Sequence, residues 1–536
     1  MPHRRLPPLS LVVTLGLSAL AIWPCVQLLG ALAGQWGEIR AQLASEQMLT
    51  LIRHTVVSSL LATLLALAVG LLNALVVRAL REPSRGVWTV ASTFPLLVPP
   101  FVGAFSWLQA YARAGLTQRL WHWHGDFLYG RWGVVLLLAV HTAPLAFLAF
   151  TAVLSRENEA LWRATRVSGG SAWDAFVHSL WPSLRPVLTA TASLLFAFDA
   201  GDFGIPLLLG LPGRYPTMTT QIYEDLSYAT MPGAFAQAVA LAGALALMSL
   251  GFLTVAERAG GTASWLRWES SGVPRPPAPP GWEWGSRALL GGYLLAVLAF
   301  PFGALVLTAL TRAYGLAPVP ANWTWAHFAG LVHGEIGEAV LHSLGLSAAA
   351  AAAVVGAGLL LTEVGLRHSL GRLAQRLVWV PYALPGSVVA IGVLVAFGRY
   401  WYGTLAIIGL AYFVKFWGMM EPLRGLRAVI DPAAAQAAQI FGAKPIDAYR
   451  LAVWPSLSPL AGTLGILVFV GALYELTMSS LLYTPSTQTL AVVVLNAQQA
   501  GDVSTTAALG SAIALAMGLA WAAVAAMRRR TGSGTA

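Results

Sequence analysis

Asp199, Asp202 and Glu475 are carboxylates set in otherwise apolar stretches, beside Tyr474. A carboxylate within a bilayer costs on the order of 3 kcal/mol on insertion scales, so it ordinarily faces a water-filled cavity or a partner. Asp199 and Asp202, three apart, share a face if their segment is helical. Gly201, Gly204 and Pro206 are placed to open a helix nearby. Two readings follow. Asp199, Asp202, Tyr474 and Glu475 line a polar pathway through the membrane; or the carboxylates are structural, paired with Lys415 or Arg214, or capping a helix end.

Other chemistry is sparse. There is no Gly-x-x-x-x-Gly-Lys-Ser/Thr phosphate loop, so the chain is not expected to hydrolyse ATP itself. No His or Cys set has metal-ligand spacing, and His122 with His124 reads as an incidental loop pair, as do His327 and His333. No nucleophile stands with a base in a catalytic arrangement, which argues against a membrane-embedded enzyme. The single cysteine, Cys25, excludes an intrachain disulfide.

The elements that must position these residues are apolar helices. The chain is 57% apolar and only 10% charged, with a mean hydropathy of +0.68; soluble domains carry about 25% charged residues. Its apolar runs are continuous, which selects helices over a barrel. Twelve spans can be drawn, at 10–33, 54–78, 87–110, 132–154, 187–209, 232–256, 288–311, 338–362, 377–398, 401–420, 460–483 and 504–527. The first is expected to remain as a span, since 10–33 exceeds a signal-peptide core. The net charge of +10 reflects topology and not nucleic acid: with the N-terminus inside, 23 Lys and Arg fall in inner loops and 8 in outer ones. That bias places both termini in the cytoplasm.

The spans repeat. Trp181-Pro182-Ser183-Leu184-Arg185-Pro186 recurs as Trp454-Pro455-Ser456-Leu457-Ser458-Pro459, an offset of 273 that also pairs Gly169 with Gly442 and Asp202 with Glu475. Earlier in each half His54 pairs with His342 and Pro99 with Pro385, at offsets of 288 and 286. Six spans per half leaves both halves in the same orientation, as parallel repeats. The expected organisation is 1–256 as a first unit with a cytoplasmic loop at about 155–186, 257–286 as a Pro-rich linker, and 287–536 as a second unit with its loop at about 421–459. Pro274-Arg275-Pro276-Pro277 favours an extended polyproline spacer over an SH3-type ligand.

The two loops have a common grammar. In the first, Gly169 and Gly170 suit a left-handed helix stop, and Ser171 with Asp174 has capping-box spacing. In the second, Gly442 stops a helix and Pro445 fits the first turn of the next. The offset from Gly169 to Pro182 and that from Gly442 to Pro455 are both 13. Each loop reads as two short helices meeting at an elbow that protrudes from the membrane.

At these residues the chain resembles the permeases of binding-protein-dependent (type I) ABC importers, whose Glu-Ala-Ala loop has a central glycine followed by a proline-bounded helix. The resemblance covers nearly the whole chain, as two permease units in series. It implies that Ala164 and Gly169, and Ala437, Ala438 and Gly442, lie in coupling helices that dock on the ATPase. The position of the signature's Glu holds Arg163 in one half and Gln436 in the other. It also implies two ATPase subunits on the cytoplasmic face that carry ATP and Mg²⁺, with no cofactor in this chain, an extracytoplasmic substrate-binding protein, an inner-membrane location in a bacterial cell among lipid, and no nucleic-acid partner. The stretches Asp199–Gly210 and Tyr474–Pro485 resemble the fused permeases of the iron(III) branch, with thiamine, polyamine and phosphonate permeases similar. An ion-coupled secondary transporter, the alternative class, gives no reason for two elbows.

Overall fold

In the computed structural model, residues 8–532 are described apart from 44, 82–83, 156–164, 166, 229–232, 260–279 and 318. The described chain is helical, with one isolated bridge between Thr311 and Trp323. The first half contains α1 (Pro8–Gly34), α2 (Glu46–Arg78), α3 (Ser84–Thr93), α4 (Pro100–Tyr111), α5 (Arg131–Ser155), α6 (Trp181–Gly201), α7 (Met218–Ser227) and α8 (Ala234–Arg258). The second contains α9 (Pro280–Leu294), α10 (Phe300–Leu310), α11 (Gly334–Arg367), α12 (Ser369–Ala383), α13 (Gly386–Trp401) and α14 (Leu405–Phe416). It continues with α15 (Glu421–Val429), α16 (Pro432–Ile440), α17 (Pro445–Ala452), α18 (Trp454–Leu473), α19 (Thr477–Leu482), α20 (Leu490–Gln499) and α21 (Val503–Gly532).

The expected count of twelve spans is not confirmed. Among the described residues eight helices are long and apolar enough to cross a membrane, and two further pairs are bent, α3 with α4 by 98° and α12 with α13 by 112°. These bends replace the expected spans 87–110 and 377–398. Proline explains them: Pro99 and Pro385 precede α4 and α13 with near-identical extended geometry (φ −56°, ψ 136° and φ −53°, ψ 150°). A proline donates no backbone N–H and its ring disfavours continuing the helix. The expected spans 187–209 and 460–483 are also interrupted: α6 ends at Gly201 and α18 at Leu473, each one or two residues before a carboxylate. The linker expected over 257–286 is flanked by helix up to Arg258 and again from Pro280; 260–279 lie outside the described residues.

The halves interlock. α1 packs on α12 and α13 of the second half, while α10 packs on α4 of the first and on α21. The α1–α13 approach is close: a Cβ on Gly392 would lie 2.8 Å from the Pro24 carbonyl oxygen. At the reciprocal contact Pro301 leaves the Val297 carbonyl without its helical donor, within the π-helical turn Leu295–Ala299. Trp107 Nε1 donates to that carbonyl at 3.1 Å and the Tyr111 hydroxyl donates to Ala296 O at 2.7 Å. Within the first half, Gly70 of α2 meets the α5 backbone, where a Cβ would lie 2.7 Å from Phe147 N. Gly358, 288 residues later, instead meets the side chain of Met420.

Candidate functional site: a broken-helix centre and two cytoplasmic elbows

Asp202 and Glu475 do the same job in the two halves. Asp202 Oδ1 accepts from Ile205 N at 2.9 Å, at the start of the helical segment that resumes after the break. Glu475 Oε2 accepts from Met478 N at 2.8 Å and Ser479 N at 3.1 Å, at the start of α19. A helix start exposes N–H groups that carbonyls of the preceding turn cannot reach. A carboxylate there satisfies them and sits at the positive end of the helix dipole. The repeat therefore duplicates a capped break, the capping alternative of the sequence reading.

The other carboxylate differs. Asp199 is 3% exposed, and its Oδ2 accepts from Thr63 Oγ1 of α2 at 3.3 Å. Because α6 ends at Gly201, Asp199 faces α2 while Asp202 turns to the next segment. Tyr474 is buried and its hydroxyl donates to Ile513 O of α21 at 3.4 Å. Among the described residues neither Lys415 nor Arg214 forms an ion pair with a carboxylate. Lys415 Nζ instead donates to Tyr382 O at 2.9 Å and to Leu384 O, the free carbonyls at the C-terminal end of α12. Cations are favoured at that end.

Three breaks converge. The Cβ position of Gly201 lies 3.1 Å from Pro385 Cβ, so the end of α6 touches the bend between α12 and α13 across the halves. The next residue, Gly386, would place a Cβ 3.1 Å from Glu475 Oε1. Asp202 and Glu475 thus approach one bend from opposite halves.

Two short buried helices, α7 and α20, escaped the sequence reading, and a duplicated clip holds both. His54 Nδ1 bonds Pro216 O at 2.9 Å and Thr55 Oγ1 accepts from Met218 N at 2.9 Å. In the second half His342 Nδ1 bonds Gln488 O at 3.1 Å and Ser343 Oγ accepts from Leu490 N at 2.7 Å. The signal was present in the pairing of His54 with His342 and in the Thr217–Thr220 capping box.

The elbows match expectation where they are described. Gly169 and Gly442 take φ of +86° and +92°, the left-handed region. Ser171 and Asp174 cap reciprocally, Ser171 N donating to Asp174 Oδ2 at 2.8 Å and Asp174 N to Ser171 Oγ at 3.1 Å. The Ser171 hydroxyl and amide hold the Asp174 carboxyl below its ordinary pKa. Pro445 opens α17 and Asp431 caps α16. Ala437 and Ala438 lie on α16, whereas Ala164 lies outside the described residues. Ile440 and Phe441 are 83% and 90% exposed beside Gly442, and Val167 is 88% exposed beside Gly169. Apolar groups displayed in this way mark a surface that a partner covers.

Such a duplicated, elbow-bearing helical bundle defines a membrane permease, and the comparisons specify its kind. Residues 62–257 match the family described as the binding-protein-dependent transport system inner membrane component. The Fe(3+)-transport system permease protein FbpB 2 of Haemophilus influenzae is 24% identical over 457 residues, 84% of each chain. The probable ABC transporter permease protein y4fN of Sinorhizobium fredii is 24% identical over 481 residues, 84% of this chain and 82% of the relative. The molybdenum transport system permease protein ModB of Escherichia coli is 28% identical over 196 residues, 36% of this chain but 86% of the relative. These likenesses support a fused type I ABC importer permease, a transport subunit.

Proposed function

We propose that this permease passes iron(III), delivered by an extracytoplasmic binding protein, into the cytoplasm, driven by two ATPase subunits docked on its two elbows. The observation that carries the docking is the pair of left-handed glycines, each beside an exposed apolar residue. The relative named for Fe(3+) transport, aligned over 84% of each chain, supports the cargo. We place both termini and both elbows in the cytoplasm, from the distribution of Lys and Arg. The units are 1–256 and 287–536, an assignment supported by a permease that spans 36% of this chain yet matches 86% of its own length.

Asp199, Asp202, Tyr474 and Glu475 line or gate the passage between the halves. Gly201, next to Asp202, and Glu475 both adjoin the Pro385–Gly386 bend, and carboxylate and phenol oxygens are hard donors suited to a hard cation. The test is reconstitution of the chain with its ATPase and binding protein, with ATP-dependent uptake of radiolabelled iron(III) measured against molybdate and 2-aminoethylphosphonate. Iron accumulation is expected; accumulation of another solute alone would replace the cargo and keep the class.

A further inference from the structure

Each buried short helix is anchored at its N-terminal end within its own half, by His54 with Thr55 or by His342 with Ser343. At their C-terminal ends the two helices meet each other. Gln499, the last residue of α20, donates through Nε2 to the Tyr223 hydroxyl of α7 at 3.3 Å. The Tyr228 hydroxyl, just past α7, donates to Gln499 Oε1 at 3.2 Å, and the two tyrosine hydroxyls are 3.2 Å apart. These three side chains form a closed triangle across the halves. It runs from protein interior to solvent, with Tyr223 2% exposed and Tyr228 63% exposed.

The triangle is tied to the carboxylate centre. Thr219 Oγ1 of α7 donates to Asp202 O at 2.7 Å, and the Tyr223 ring packs on Phe203 with centroids 5.2 Å apart. Displacing α7 at its C-terminal end therefore pulls on the Asp202 break. The triangle is also absent from the repeat. At the offset of 272 that relates the two clips, Tyr223 and Tyr228 correspond to Leu495 and Ala500, and Gln499 to Ser227. Among the described residues this contact therefore occurs once, between the halves.

We propose that Tyr223, Tyr228 and Gln499 form the latch that holds the extracytoplasmic mouth shut between the halves, and that cargo delivery breaks it. The placement on that face rests on the importer reading and its topology. All three members are neutral, so the bonds are individually weak and reversible, suited to opening once per cycle.

The experiment uses the assembled transporter in proteoliposomes, in a Cys25→Ala background that removes the single native thiol. Tyr228→Cys with Gln499→Cys, joined by a short bifunctional methanethiosulfonate, is expected to lose uptake and to regain it on reduction. Parental uptake in the joined protein, or a loss that reduction does not reverse, overturns the proposal. Separately, Gln499→Leu is expected to raise ATPase activity without binding protein by about two- to tenfold, the equivalent of one net hydrogen bond. Should the cysteine pair itself impair uptake, this second arm decides, and unchanged ATPase activity overturns the latch. Failure of the importer reading appears elsewhere, as absent ATP-dependent uptake in the parental protein.

Discussion

At the scale of single residues, the functional question is why two carboxylates are kept in an apolar layer. Asp202 and Glu475 each cap a helical segment that restarts after a break, with one oxygen of each accepting from backbone N–H groups. An amide oxygen can accept the same bonds, so the cap and the charge are separable. Asp202→Asn with Glu475→Gln is expected to leave the amount of protein in the membrane near parental and to lower uptake. Asp202→Ala removes the acceptor as well and is expected to lower stability by about 1 kcal/mol, read as a drop in melting temperature of the detergent-solubilised protein. Parental uptake in the double amide variant would leave capping as the only role. The correspondence of these two residues was legible in the sequence because an offset survives any local geometry. Their hydrogen bonds were not, because they depend on helices ending at Gly201 and Leu473; Gly201, Gly204 and Pro206 signal an opening near the first without fixing the residue at which the helix stops.

The same limit explains the elements. Apolar runs declare where helix is stable in lipid, and the eight long helices fall where those runs lie. Periodicity cannot show that α12 and α13 turn by 112°, although Pro385 between them was in view. α7 and α20 were missed for a related reason: both are too short to span and carry polar residues, yet tertiary packing buries them. The elbows were legible because their signals are local, a glycine, a cap and a proline. Around Gly442 a Cβ would have open space, so substitution there costs backbone conformation and not packing. The order Asn, Ala, Val is expected to degrade coupling progressively, since Asn tolerates the left-handed region and a β-branched residue least. Uptake and ATPase stimulation by binding protein should fall together for Gly442→Val, with membrane levels retained. Both at parental values would count against docking at this elbow. The Asp174 cap adds a pH dependence. Its folded pKa is depressed, so its stabilisation is present above the ordinary carboxylate range and is lost as pH falls through the lowered value. Ser171→Ala is expected to raise the Asp174 pKa toward ordinary, measurable by NMR titration of a peptide–detergent or labelled sample.

At the scale of the molecule, the internal repeat and the interlock decide stoichiometry. α1 of the first half lies on α12 and α13 of the second, and α10 of the second lies on α4 of the first. Each half therefore completes its partner, as two separate subunits of a dimeric permease would. The backbone approach of Gly392 to Pro24 and the Trp107 and Tyr111 bonds to carbonyls beside Pro301 make these contacts specific, not mere lipid exclusion. Both elbows are already present in one polypeptide, so a second copy would add docking sites with no ATPase required to fill them. We expect a native mass of one copy of this chain with two ATPase subunits. We also expect residues 1–259 and 280–536, produced as separate polypeptides, to associate and restore uptake, because α1 with α12 and α13, and α10 with α4, join the halves among the described residues. Gly392→Leu should weaken that association in the split form, by forcing α1 from α13, more than it weakens the continuous chain, where the linker keeps the halves at high effective concentration. Two copies per functional transporter, or split halves that never co-purify, would reject this account of the assembly.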